Sequence, residues 1–148
     1  MNIVYIANEK FALHLGVSLY SLYERNRHEK EIRVFIISTG IGEDSLGKLK
    51  SIAKKFDRVL SVIELDNASK YFDVGLQDAS FDISKMGRLL VGELLPDDVK
   101  RVLYLDCDMV ILHSIRELYY TKLGKNVAAA VEEPTVLERV RYEIRLDC

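Results

Sequence analysis

Asp106 and Asp108 are the residues whose type and spacing carry the clearest chemistry in this chain. They end an apolar run, Val102-Leu103-Tyr104-Leu105, within the stretch from Lys100 to His113. Successive strand residues point to opposite faces, so the spacing predicts that both carboxylates project the same way. Met109-Val110-Ile111-Leu112 then resumes the apolar run. Two like charges on one side of an apolar segment are costly unless a cation or a proton compensates them. Hard divalent cations such as Mg²⁺ or Mn²⁺ take carboxylate oxygen and keep positions open for phosphate oxygens. The pair therefore reads as a divalent-metal site that holds a phosphorylated ligand. For a bare Asp-x-Asp the plainer reading, two solvated acids at a strand end, is the better one. The apolar residues on both sides tip this pair toward metal.

The rest of the pattern is an alternation of strands and helices. Asn2–Ala7 is apolar and β-branched and predicts a first strand, closed by a turn at Asn8-Glu9-Lys10. Phe11, Leu15, Leu19 and Leu22 recur at helical spacing and predict a helix over Phe11–Glu24. Glu31–Ser38 and Val59–Leu65 read as strands. Between them Leu46, Leu49, Ile52, Ala53 and Phe56 make one face of a second helix, with Lys48, Lys50, Lys54 and Lys55 toward solvent. Asp66–Phe81 reads as irregular. Ser84 suits the N-cap of a helix through Leu95, with Leu89, Leu90 and Leu94 inward and Pro96 beyond its end. After the strand leading to Asp106 come a short helical turn at Ile115–Leu118, a last strand at Val127–Val131 and a closing helix from Pro134. This order implies an α/β fold with a mainly parallel sheet and helices on both faces. Ligands on such sheets bind beyond the carboxyl ends of strands, near a switch in strand order. Asn8 and the aspartate pair both follow strands, so both are expected on that edge.

Composition narrows the function. The 148 residues suffice for one domain with a real core, and 49% hydrophobic with 30% charged residues fits a globular protein. A net charge of −2 without a basic block argues against nucleic acid or an anionic membrane as partner. No apolar run reaches membrane-span length, and Met1–Tyr5 lacks the features of a secretion signal, so a cytoplasmic protein is expected. Cys107 and Cys148 form no metal-type pair, and Cys107 reads as a small buried residue facing away from the aspartates. The chain contains no Gly-x-Gly-x-x-Gly after the first strand, no P-loop and no Gly-x-Ser-x-Gly elbow.

Asn2-Ile3-Val4-Tyr5-Ile6-Ala7-Asn8-Glu9 resembles the opening strand and nucleotide loop of glycosyltransferase family 8. Ser84–Leu95, with Arg88-Leu89 inside it, resembles that family's arginine helix, and Tyr104-Leu105-Asp106-Cys107-Asp108 resembles its Asp-x-Asp metal motif. Order and spacing match from Met1 to about Glu133. The family includes glycogenin and bacterial lipopolysaccharide galactosyl- and glucosyltransferases. The resemblance implies a Rossmann-like GT-A fold, a UDP-sugar donor (UDP-glucose or UDP-galactose first), a saccharide acceptor, Mn²⁺ or Mg²⁺, and hexosyl transfer with retention of configuration. It implies that Asp106 and Asp108 hold the metal bridging the donor diphosphate, with Asp106 also near ribose or donor sugar. Ala7 and Asn8 would line the uracil and ribose pocket, and Arg88 would meet the diphosphate or the donor sugar.

Three features depart from that pattern. Asparagine stands at position 8 where the family usually carries aspartate. Met86 stands where a tyrosine commonly precedes the arginine. The family's later His-x-x-Gly-x-x-Lys-Pro-Trp type segment has no counterpart, and His14, His28 and His113 do not replace its histidine convincingly. The expectation is therefore a single nucleotide-sugar-binding domain over residues 1–148, truncated before the acceptor-binding part, with a homodimer left open. Two other functions stay in view: a nucleotide-binding module without turnover, and a haloacid-dehalogenase-type phosphatase using the first aspartate of Asp-x-Asp as nucleophile.

Overall fold

The computed structural model describes residues 1–65 and 87–130. Among these residues four strands form a sheet: β1 (Asn2–Ala7), β2 (Arg33–Ser38), β3 (Val59–Glu64) and β4 (Leu103–Tyr104). All pair in parallel, in the order β3-β2-β1-β4. β1 runs in register with β2 from Asn2↔Arg33 to Ala7↔Ser38, and with β4 through Ile3↔Leu103 and Val4↔Tyr104. The chain first builds outward from β1 through β2 to β3, then returns to place β4 on the other side of β1. The switch in strand order thus lies between β1 and β4.

A parallel strand covered on both faces must be apolar at nearly every position. In β1 and β2, Ile3–Ala7 and Val34–Ile37 are all buried. Ile3, Tyr5 and Ala7 pack on one face with Leu15, Leu19 and Leu22 of α1 (Ala12–Arg25) and Leu49 and Ala53 of α2 (Glu43–Lys55). Val4 and Ile6 pack on the other with Phe35, Ile37, Leu90 and Leu95. Each Val, Leu, Ile or Phe among them that is fully removed from water contributes about 1.5–3 kcal/mol. α2 carries Glu43 and Asp44 in its first turn and Lys54 and Lys55 in its last, matching the sign of the helix dipole at each end. Its lysines face solvent as the pattern predicts.

The predicted mainly parallel α/β architecture holds; β1, β2, β3 and α1 begin and end within two residues of expectation, and α2 forms where the second helix is expected. Four local expectations do not hold. Leu89 is 66% exposed, because Gly87–Leu90 winds as a 3₁₀ turn before the helical turn Val91–Leu94. Three residues per turn direct Gly87 and Leu90 inward and Arg88 and Leu89 outward. β4 is shorter than the run Val102–Leu105, although the Leu105 N–H still donates to the Val4 carbonyl at 3.0 Å. In the run after Asp108, only Ile111 is buried, and Met109, Val110 and Leu112 face out. Residues 127–130 form no strand, and Val127 is 99% exposed. A strand needs a hydrogen-bonded neighbour, and this segment pairs with none among the described residues. The expectations for Asp66–Phe81, the Ser84 cap, Val131 and the helix from Pro134 lie outside the described residues.

Candidate functional site

The polar residues singled out from sequence gather at the carboxyl ends of β1 and β4. β1 ends at Ala7, whose carbonyl accepts from the Thr39 N–H at 2.9 Å and the Thr39 hydroxyl at 3.2 Å. Asn8 follows in extended conformation and leads into a 3₁₀ turn, Glu9–Phe11. The Asn8 Oδ1 is buried and has no hydrogen-bond partner among the described residues. Leaving such an acceptor unmet costs about 1–3 kcal/mol, so its natural complement is a donor from a ligand or water. The next residue fixes the loop: the Glu9 carboxylate accepts from the Gly42 N–H at 2.7 Å and the Ser45 hydroxyl at 2.8 Å at the start of α2.

Asp106 lies two residues beyond β4. Leu105 and Cys107 are buried and Asp106 and Asp108 exposed, the expected in-out order, although the strand has ended at Tyr104 and Cys107 and Asp108 lie in a turn. The Cys107 thiol donates to the Ile6 carbonyl at 3.0 Å, so β1 grips this segment through Val4 and Ile6. Burial first, and then the two neighbouring aspartates, push the Cys107 thiol up to about 11. It is a protonated packing residue, not a nucleophile.

The far side of the aspartate segment is pinned to α1. Ser21 Oγ accepts from the Ile111 N–H at 2.9 Å, and the buried Asn26 Oδ1 accepts from the Ile115 N–H at 3.0 Å. Arg116, which opens the helical turn Arg116–Tyr119, donates to both oxygens of Glu29 at 2.8 and 3.0 Å. Arg101 donates to the carbonyls of Tyr119 and Thr121, both at 2.8 Å. Both ends of the Asp106–Asp108 segment are therefore tied to the core.

Arg88 comes to this edge from the opposite direction in sequence. A Cβ at Gly87 would lie 3.2 Å from Cδ1 of Ile6, so the missing side chain lets the turn sit close over β1. The Arg88 guanidinium carbon lies 5.4 Å from the centroid of the Tyr104 ring, within cation–π reach. The Tyr104 hydroxyl in turn donates to Asp106 Oδ1 at 2.9 Å. Burial, followed by this bond to Asp106, pushes the Tyr104 hydroxyl up to about 12, so it stays a donor at neutral pH. The structure thus joins Arg88 to Asp106 through Tyr104, and places Ala7 and Asn8 on the adjacent strand end. Tyr104 was read from sequence only as part of the Asp-x-Asp motif and given no role of its own, although its i, i+2 spacing to Asp106 was the available signal.

Two exposed carboxylates offer only hard oxygen ligands and suit Mg²⁺ or Mn²⁺ with positions left open. No third His, Cys, Asp or Glu joins them among the described residues. His14, His28 and His113 are all exposed, and His28 is engaged with Glu29 and Ser114. Nor is any helix among the described residues long and apolar enough to cross a membrane.

Comparison with known proteins gives a consistent picture. Residues 2–145 match the model of glycosyl transferase family 8. General stress protein A of Bacillus subtilis (strain 168) is 28% identical over 142 residues, which are 95% of this chain and 49% of that protein. Glycosyltransferase GlyD of Streptococcus pneumoniae serotype 4 is 24% identical over 131 residues, covering 88% of this chain and 15% of that one. The galactosyltransferase LgtC, solved with donor and acceptor sugar analogues, superposes with a TM-score of 0.79 at 25% identity, over 100% of this chain and 52% of LgtC. The bifunctional glycosyltransferase WbbM shares the fold, with a TM-score of 0.79 at 19% identity over 96% of this chain and 24% of its own. The chain spans about half the length of General stress protein A and of LgtC. With a GT-A sheet, a polar edge at its strand-order switch and a family match across almost every residue, this chain belongs to glycosyl transferase family 8.

Proposed function

We propose that these residues form the donor-binding part of a metal-dependent UDP-sugar hexosyltransferase that retains anomeric configuration. The observation that carries this reading is the adjacency of β1 and β4 at the strand-order switch. It sets the unmet Asn8 acceptor beside the Arg88–Tyr104–Asp106 chain.

Each group has a role that follows from its chemistry. Asn8 Oδ1 accepts an N–H from the uracil edge, and its amide N–H₂ donates to a neighbouring carbonyl of the base. Ala7 puts a small, uncharged residue next to Asn8 at the end of β1. Arg88 offers a planar fork of donors to the diphosphate or the donor sugar. Asp106 and Asp108 hold Mn²⁺ or Mg²⁺; when bound, that cation offsets charge on the departing diphosphate. The reaction breaks the bond between the anomeric carbon and phosphate oxygen, and an acceptor hydroxyl takes the sugar.

Positioning of the acceptor is a large part of such catalysis, up to roughly 7–11 kcal/mol. No third His, Cys, Asp or Glu joins Asp106 and Asp108 among the described residues, and these 148 residues alone are expected to bind the donor with slow turnover. Mass spectrometry after incubation with UDP-glucose, UDP-galactose, Mn²⁺ and a panel of saccharide acceptors tests this. Slow UDP release with little glycosylated product is the expected result. Failure to bind or cleave any UDP-sugar contradicts the proposal, and rapid acceptor-dependent product shows that these residues assemble a complete site. No feature of the site favours the phosphatase alternative over the family chemistry.

A further inference from the structure

Two features of the site meet on one side chain that the reading above leaves without a role. Tyr104 lies on the face of β4 that packs against Val4, Ile6 and Leu90. Its hydroxyl is bonded to Asp106 Oδ1 at 2.9 Å, and its ring face carries the Arg88 guanidinium at 5.4 Å. Asp106 is exposed, and the bond from Tyr104 is what ties its carboxylate to the packed part of the chain. An exposed carboxylate left to itself samples several rotamers, and each wrong one must be given up when a cation binds.

We propose that Tyr104 is a positioning residue: it fixes the Asp106 carboxylate through one oxygen, leaves the other oxygen for the divalent cation, and seats Arg88 beside it for the diphosphate. The inference rests on the metal-dependent donor-binding reading and assigns that site a residue outside its ligand set. The half-buried ring is anchored in the core, so its hydroxyl is a stationary donor. That is what a carboxylate ligand needs from its outer partner, and outer partners of this kind are worth about 10–100-fold in metal affinity. The same ring presents its electron-rich face to Arg88, so one side chain orients an anion through its edge and a cation through its face.

The role is separable from simple packing. Tyr104→Phe keeps the ring and the Arg88 stack and removes only the hydroxyl. Mn²⁺ affinity is read from the electron paramagnetic resonance signal of free Mn²⁺ at saturating UDP, and UDP affinity by calorimetry at saturating Mn²⁺. The expected result for Tyr104→Phe is Mn²⁺ binding weakened by about 10-fold, UDP affinity at saturating Mn²⁺ nearly unchanged, and an unchanged melting temperature. In an Asp106→Asn background the same substitution is expected to have no further effect on Mn²⁺, because the carboxylate it orients is gone. Tyr104→Leu is expected to weaken UDP binding as well, and to lose that extra effect in an Arg88→Ala background. Unchanged Mn²⁺ affinity in Tyr104→Phe, or an equal loss with and without the Asp106 carboxylate, overturns the positioning role while leaving the donor site intact. A wild-type chain whose UDP binding ignores Mn²⁺ overturns the metal reading, and this inference with it.

Discussion

Gly87 rests on Ile6: a Cβ added at Gly87 would stand 3.2 Å from Ile6 Cδ1 and 3.4 Å from Cγ2. Ile6 is buried in β1 between two layers and has little room to move. The 3₁₀ turn that carries Arg88 is therefore held at a height set by the absence of a side chain. Gly87→Val is expected to lift this turn and cost about 1–3 kcal/mol through overpacking. Thermal unfolding reads the cost, and a calorimetric loss of UDP affinity reads the displacement of Arg88. A melting temperature equal to wild type would show that the turn is free to shift.

Asn26 joins the aspartate segment to α1 from within the core. Its Nδ2 donates to the Leu22 carbonyl at 2.8 Å, and its Oδ1 accepts from the Ile115 N–H at 3.0 Å. Asn26→Ala leaves the Ile115 N–H buried without an acceptor, at an expected cost of about 1–3 kcal/mol. Hydrogen exchange should show faster exchange at Ile115 first, with β1 and β2 still protected. Uniform loss of protection across the chain would mean that Asn26 supports the whole fold and not this segment.

The Glu9 latch predicts an acid sensitivity. The Gly42 N–H first, and the Ser45 hydroxyl after it, hold the Glu9 carboxyl below the usual carboxylate range. A folded-state value depressed below the unfolded one gives stability that is fully present above the unfolded value of about 4.3 and is lost as pH falls through the folded one. Melting curves from pH 7 down to pH 3 should therefore show a steeper fall for wild type than for Glu9→Gln, which cannot titrate. Parallel curves for the two proteins would place the acid sensitivity in other carboxylates.

The strands and long helices were legible because each is decided by a pattern longer than itself is wide. The apolar runs of β1 and β2 and the Leu15-Leu19-Leu22 spacing of α1 leave little choice of face. The order Leu105-in, Asp106-out, Cys107-in, Asp108-out was readable too, although a turn and not a strand carries it. What was missed depends on partners distant in sequence. Leu89 and Leu90 fit α-helical spacing equally well, and only packing of Gly87 on Ile6 selects the tighter turn. Val127 belongs to a strand-like run, yet a run of that kind carries no information about whether a neighbour exists. The role of Tyr104 required Arg88, sixteen residues earlier, to reach its ring. The Asn8 oxygen, unmet among the described residues, is likewise a property of the path of the loop, not of the residue.

The central claim is that Asp106 and Asp108 make donor binding depend on a divalent cation. Calorimetric titration of UDP into wild type and Asp108→Asn, each with and without Mn²⁺, tests it most directly. Wild type should bind UDP with Mn²⁺ and only feebly without it. Asp108→Asn removes one anionic ligand while keeping shape and exposure, so its UDP affinity should be equally feeble in both conditions. An Asp108→Asn protein that keeps the full Mn²⁺-dependent gain in UDP affinity would contradict the account.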